Sequence, residues 1–158
     1  MNLESIKANL EAAEIFHSES AVLDRISVIG YEKKFKWRWF ATQLNTFIVA
    51  TDFGEEKITV ELIEQHLSAA FLFSGQNHRG WPRGMQAAVA VISVLISANV
   101  SDEAKEYCHK LKSGKKWAGF TIPVAHDGST SESFHFEKSP LWGSVYFPHF
   151  RKLIDQLK

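Results

Sequence analysis

The longest apolar segment of the chain runs from Met85 to Val100, where twelve of the sixteen residues are apolar. Such a segment must be buried on nearly all sides, so we expect the other elements to pack around it. Its six valine and isoleucine residues, followed by a new helix cap at Ser101, favour a buried strand over residues 85–98. A helix is the alternative, in which four residues would share one face: Gln86, Ala90, Ser93 and Ser97.

Four other segments repeat apolar residues at helical spacing with polar residues between them. They predict amphipathic helices over residues 3–17, 59–73, 102–113 and 148–157. Thr59 and Ser101 can each cap a helix N-terminus, and acidic residues follow both of them in the first turn. Gly114 can end the third helix, and Pro148 fits the first turn of the fourth.

Strands are predicted where β-branched residues are enriched or where apolar and polar residues alternate. Besides residues 85–98, these segments are residues 21–31, 34–39, 44–53, 117–125 and 133–137. A turn at Asp127 and Gly128 makes the last two a hairpin, and the helix before residue 117 can return the chain as a parallel crossover. We therefore predict an α+β fold with a mixed, mostly antiparallel sheet of about five or six strands, covered by about four helices.

Residues 34–39 show the clearest alternation in the chain, with Phe35, Trp37 and Trp39 separated by basic residues. A period of two predicts a strand whose aromatic side chains face inward and whose cations face solvent. Interleaved aromatics and cations can also form a platform for nucleic acid, where bases stack and phosphates pair. Because the two kinds of side chain would occupy opposite faces, we do not expect a nucleic-acid partner.

The composition indicates one soluble domain over residues 1–158, with 18 basic and 18 acidic side chains in balance. Cys108 is the single cysteine, which excludes an intrachain disulfide and a zinc site built from thiolates. The N-terminal residues lack the apolar stretch of a secretion signal, and no apolar run reaches the ~20 residues that span a bilayer. We expect a cytoplasmic protein that does not enter a membrane.

The segment from Gly75 to Gly84 is the first candidate site, because it combines glycines with four side chains suited to binding: His78, Arg79, Trp81 and Arg83. Guanidinium groups match the geometry of carboxylates and phosphates, and glycines let a ligand approach the backbone. We expect helix 59–73 to end before Gly75 and this loop to bind an anionic ligand or a partner protein. The alternative is a solvated connection that Trp81 anchors to the core.

A second candidate cluster consists of His126, Asp127 and His135 near the predicted C-terminal hairpin. Two imidazoles and a carboxylate could hold zinc or ferrous iron if the hairpin brought them together. The spacing matches no known ligand motif, and an Asp-Gly pair is also typical of a polar turn. We therefore expect neither a metal nor a cofactor.

Two functional classes remain open from the sequence. The first is a non-catalytic binding or regulatory domain that uses the loop over residues 75–84, and the second is a hydrolase or nuclease with a His, Asp and Arg site. The sequence contains none of the motifs that are typical of catalytic sites, which favours the binding domain. The many aromatic residues, 13% of the chain, would also suit a homo-oligomer or a partner interface.

Overall fold

The computed structural model describes residues 1–80, 86–111, 119–139 and 143–158. In those residues the chain forms four α-helices and one six-stranded mixed sheet, which confirms the predicted α+β class. The helices are α1 Leu3–Ala12, α2 Val60–Asn77, α3 Asp102–Lys110 and α4 Phe147–Asp155. The strands are β1 Phe16–Val22, β2 Arg25–Lys36, β3 Thr42–Asp52, β4 Ala87–Ser97, β5 Gly119–Asp127 and β6 Glu132–Phe134.

The six strands lie side by side in chain order. The pairs β1–β2, β2–β3 and β5–β6 are antiparallel, whereas β3–β4 and β4–β5 are parallel. Helices α2 and α3 make the two crossovers that parallel neighbours require. The crossover through α3 from β4 to β5 confirms the predicted one.

Strand β4 lies inside the sheet, and every residue from Ala87 to Ser97 is buried. It has a hydrogen-bonded neighbour on each side and helices on both faces, so apolar side chains suit both of its faces. The strand interpretation of residues 85–98 is thus confirmed over these eleven residues, and the helix alternative is wrong. Met85 lies outside the described residues.

The helices cover the sheet in two layers. Ile6 and Leu10 of α1, with Phe150 of α4, join the apolar side chains of one sheet face. Helices α2 and α3 cover the other face, where Ile63 and Cys108 belong to one cluster and Ala70 to another. None of the helices in the described part of the chain combines the length and the apolarity that crossing a bilayer requires.

The predicted first helix over residues 3–17 is too long. It ends at Ala12, and Glu14 then adopts a left-handed backbone with φ of 58°. Residues from Phe16 onward form β1 and pair with β2, so sheet pairing overrides the helical spacing of the sequence. The predicted strand 21–31 is also divided, because Leu23 and Asp24 turn the chain between β1 and β2 with φ of 51° and 58°.

Helix α2 continues through Gly75 to Asn77, so the prediction that it ends before Gly75 is wrong. The Nδ2 atom of Asn77 donates a hydrogen bond to the carbonyl of Phe73 at 2.8 Å, one turn earlier in the helix. The predicted strand over residues 133–137 is wrong beyond Phe134, where β6 ends. Helix α3 ends at Lys110, and the rest of the predicted helix 102–113 beyond Leu111 lies outside the described residues.

Candidate functional site

The β2–β3 hairpin ends in a compact apex. Strand β2 stops at Lys36, Trp37–Trp39 forms a 3-10 helical turn, and β3 begins at Thr42. Phe40 and Ala41 close the turn with φ of 55° and 53°, a left-handed backbone that bulky residues rarely adopt. The predicted strand 34–39 is therefore wrong beyond Lys36, because the chain must reverse before Thr42 pairs with it.

The reversal brings aromatic rings to the surface. Trp37 and Phe40 are each 81% exposed and Phe35 is 42% exposed, whereas Trp39 is fully buried. The rings of Phe35 and Trp37 meet edge to face, with centroids 5.3 Å apart. The prediction that all aromatics of this segment face inward is thus correct for Trp39 and wrong for Phe35 and Trp37.

Trp39 fastens the apex to the core below it. Its indole Nε1 donates a hydrogen bond to the carbonyl of Val145 at 3.1 Å, and the Tyr146 hydroxyl donates to the carbonyl of Trp39 at 3.2 Å. The indole ring also lies against the rings of Tyr146 and His149, with centroids 5.4 and 5.1 Å away. These contacts anchor the turn that carries the exposed rings to the core of the protein.

A contact between the buried His149 imidazole and the Glu32 carboxylate lies beside Trp39. Nε2 of His149 is 2.7 Å from Oε2 of Glu32, within ion-pair distance although outside hydrogen-bond geometry, and Lys34 is 2.9 Å from the other carboxylate oxygen. Burial alone would raise the pKa of Glu32, but His149 and Lys34 outweigh it and lower the pKa to about 2. The Lys36 ammonium lies 4.7 Å from the centre of the Trp39 ring, a cation–π contact that also stabilises the apex.

The first predicted site meets the same hairpin. The Tyr31 hydroxyl donates to Oδ1 of Asn45 at 2.7 Å, and it lies 3.2 Å from the amide and 3.1 Å from the carbonyl of Arg79. His78 Nδ1 donates to the carbonyl of Gly75 at 3.1 Å, so its imidazole closes the end of α2. The backbone after α2 is thereby held against the β2 face that carries Tyr31.

Gly80 allows this close approach. Its φ is 130°, and a Cβ placed there would collide with the side chain of Gln43 and lie 3.7 Å from Cδ of Lys33. Glycine suits this position because residues with a side chain rarely adopt such a φ. Tyr31, Lys33 and Phe35 alternate along β2 and share this face, and the Phe35 ring contacts that of Trp37, so the Arg79 backbone lies beside the face that carries these two rings.

We call this surface the apex surface and define it by six residues: Lys33, Phe35, Trp37, Arg38, Phe40 and Arg79. Its three cations are exposed, and none forms an ion pair with a described residue. By contrast, the neighbouring Lys34 forms an ion pair with Glu32, and Lys36 makes a cation–π contact with the Trp39 ring. The apex surface therefore concentrates uncompensated positive charge on a chain whose formal net charge is zero. Trp81 and Arg83, predicted for the same site, lie outside the described residues.

The second predicted cluster divides between two sides of the sheet. His126 and Asp127 are consecutive residues of β5, and consecutive side chains of a strand point to opposite faces. His126 Nδ1 lies 2.9 Å from Oγ of Ser133. Asp127 Oδ1 accepts hydrogen bonds from the Ser129 amide and hydroxyl at 2.9 and 2.6 Å, which lowers the pKa of Asp127 and fixes the turn. His135 follows the end of β6, and burial lowers the pKa of its imidazole.

This geometry keeps the two clusters apart. In the register of the sheet, Asn45 of β3 lies beside Val89 of β4, which lies beside Gly119 of β5. His126 lies seven residues beyond Gly119 along β5. At about 3.3 Å per residue, His126 is about 23 Å from the level of the apex surface. Within the described ranges, no group of three His, Cys, Asp or Glu side chains is arranged to hold a metal ion.

One polar cluster was not found from the sequence. Thr51 Oγ1 lies 2.6 Å from Ser27 Oγ and 2.7 Å from Nε2 of His66, whose Nδ1 is 2.6 Å from Ser93 Oγ. The four side chains come from β2, β3, α2 and β4, so the local pattern of no one segment reveals them. All four are fully buried, and burial lowers the pKa of His66 to about 4.

The buried cluster resembles a hydroxyl activated by imidazole, but no solvent-exposed atom belongs to it. A substrate could not reach these hydroxyls without opening the core, so we assign them to the packing between α2 and the sheet. Cys108 is likewise buried, and burial raises the pKa of its thiol to about 12. The thiol therefore stays protonated and lacks the thiolate that nucleophilic catalysis requires.

No family model, curated protein or solved structure matches this chain. The fold and the site together define an α+β protein with an aromatic and cationic surface at the apex of one hairpin. Since a fold alone does not determine function, the chemistry of that surface carries the functional interpretation.

Proposed function

We propose that this protein is a non-catalytic binding domain whose apex surface binds an anionic partner. The observation that carries the proposal is that the apex surface combines three exposed aromatic rings of an anchored hairpin with three cations that have no ion-pair partner among the described residues. Guanidinium and ammonium groups bind carboxylates and phosphates, and exposed aromatic clusters on soluble proteins commonly mark interaction sites.

The backbone of the apex supports the same proposal. Phe40 keeps a φ of 55° although a left-handed backbone costs a residue with a side chain about 1–2 kcal/mol. The Phe40 ring gains little from burial in return, because it remains 81% exposed. The turn therefore presents the Phe40 ring to solvent at a cost in backbone strain.

The hydrolase or nuclease alternative has less support. It requires His78 or an arginine to meet His126 or His135, yet His78 and His126 lie near opposite ends of the sheet. Asp127, the acidic member of the second cluster, is engaged in its own turn. A binding role needs only the groups that the apex surface already exposes.

The proposal is tested with three labelled polyanions of different chemistry: polyphosphate, a poly-glutamate peptide and a single-stranded oligonucleotide. We expect fluorescence anisotropy to detect binding of at least one of them at about 50 mM salt, with weaker binding at about 200 mM. The triple variant Lys33→Gln/Arg38→Gln/Arg79→Gln should lose affinity about tenfold or more.

A charge-matched control is Lys57→Gln/Lys110→Gln/Lys138→Gln, which removes three exposed cations outside the apex surface. It should keep affinity within about twofold of the wild type, since only local charge is proposed to matter. Absence of binding to all three polyanions, or an equal loss in the control variant, would overturn the proposed function.

A further inference from the structure

The apex surface alternates cations and aromatic rings along a short stretch of chain. Lys33, Phe35, Trp37, Arg38 and Phe40 follow one another within eight residues, and all of them are exposed. The sequence pattern had separated rings and cations onto opposite faces of a strand. The turn at Trp37–Trp39 ends that alternation, so Trp37, Arg38 and Phe40 are all exposed, while Phe35 shares its strand face with Lys33.

The rings are placed to accept flat partners. Trp37 and Phe40 are each 81% exposed, so most of each ring is free of contact with the protein. Phe35 and Trp37 stand at 83° to one another, which directs their faces toward different sides of the apex. A nucleic-acid base can stack on such a face, and base–aromatic stacking contributes about 1–3 kcal/mol per base.

The form of the surface distinguishes between anionic partners. Bases of a duplex are already stacked inside the helix, so these rings could reach them only after unstacking. A poly-glutamate peptide can satisfy the three cations, but it has no aromatic group that can stack on the rings. A single strand supplies exposed bases and a phosphate at every nucleotide, and so it matches both kinds of group.

From this complementarity we infer that the anionic partner of the apex surface is a single-stranded nucleic acid, bound without a sequence requirement. Bases stack on Trp37 and Phe40, while Lys33, Arg38 and Arg79 neutralise the phosphates. This inference rests on the proposed function, since it names the chemical class of the same partner.

The test compares three ligands at equal phosphate concentration: a single-stranded oligothymidylate of about 12 nucleotides, an abasic oligomer of the same length, and a duplex of the same length. The oligothymidylate should bind about tenfold or more tightly than the abasic oligomer and should quench tryptophan fluorescence. In the Trp37→Ala/Phe40→Ala variant, its affinity should fall to that of the abasic oligomer, whose own affinity should not change. Trp37→Tyr keeps a ring that can stack and should retain most of the affinity.

A matched control, Ile26→Ala/Leu72→Ala, removes two apolar side chains that are each 64% exposed and lie outside the apex surface. It should bind as the wild type does, and circular dichroism should show all variants folded. Equal binding of the oligothymidylate and the abasic oligomer, or tighter binding of duplex or of poly-glutamate, would overturn this inference and leave the proposed function standing. Failure to bind any polyanion would overturn both.

Discussion

Replacing Glu32 by glutamine tests the electrostatic support of the apex most directly. The carboxylate is only 18% exposed and lies 2.7 Å from Nε2 of His149 and 2.9 Å from Nζ of Lys34. Burial opposes its charge, but the two neighbouring groups overcome that cost and lower the pKa from 4.5 to about 2. The folded protein therefore favours the charged carboxylate more than the unfolded chain does.

The size of the effect follows from that difference in pKa. Each unit of pKa difference between the folded and unfolded states corresponds to about 1.4 kcal/mol, so this difference contributes about 3 kcal/mol to the free energy of unfolding. Because the pKa is lower in the folded state, this contribution is complete above pH 4.5 and is lost as the pH falls toward 2. Glu32→Gln should thus lower the free energy of unfolding by about 3 kcal/mol at pH 7.

Urea unfolding of the wild type and of Glu32→Gln, followed at several pH values from 7 to 3, measures this contribution. The difference between their free energies of unfolding should shrink by about 2 kcal/mol over that range, because only the wild type has a Glu32 carboxylate whose stabilising contribution is lost on protonation. Glu55→Gln, at an exposed position, is the control and should stay within about 0.5 kcal/mol of the wild type. A gap that is absent at pH 7, or that does not change with pH, would refute the electrostatic account.

Two further predictions concern the tryptophans of the apex and the buried histidine. Trp39→Ala should cost about 3–5 kcal/mol because it empties a buried site, whereas Trp37→Ala should change stability by less than about 0.5 kcal/mol. Urea unfolding distinguishes them, and similar losses would contradict the anchoring role of Trp39. Burial lowers the pKa of His66 from 6.5 to about 4, so the wild type should lose up to about 3 kcal/mol as the pH falls between those values. His66→Gln should lack that slope, and a variant that keeps it would contradict the assignment.

The elements that sequence predicted best are those whose signals are local or extreme. Strand β4 is buried along its whole length, as its run of valine and isoleucine residues predicted. Ser101 caps α3 by accepting a hydrogen bond from the Ala104 amide at 3.2 Å, as its position before acidic residues predicted. The apolar face predicted for the last helix is likewise buried at Phe150, Leu153 and Ile154.

The errors arise where pairing between distant segments decides the conformation. Residues 13–17 have helical spacing, yet from Phe16 onward they serve as an edge strand because β2 is available to pair with them. Gly75 indicated a loop, but α2 passes through it. For the site, His78 and Arg79 could be named from the sequence, whereas the contact of the Arg79 backbone with Tyr31 joins residues far apart in the chain that no local pattern relates.

The apex itself was mispredicted for a more informative reason. Alternation predicts where side chains point only while the strand continues, and the chain leaves the strand at Lys36 to form a turn that exposes Trp37 and Phe40. A turn selected for stability alone would favour glycine or asparagine at the left-handed positions now held by Phe40 and Ala41. Places where local sequence preference conflicts with the structure are expected at functional sites. Phe40 is also one of the exposed rings of the apex surface, so the conflict lies within the surface for which we propose a binding role.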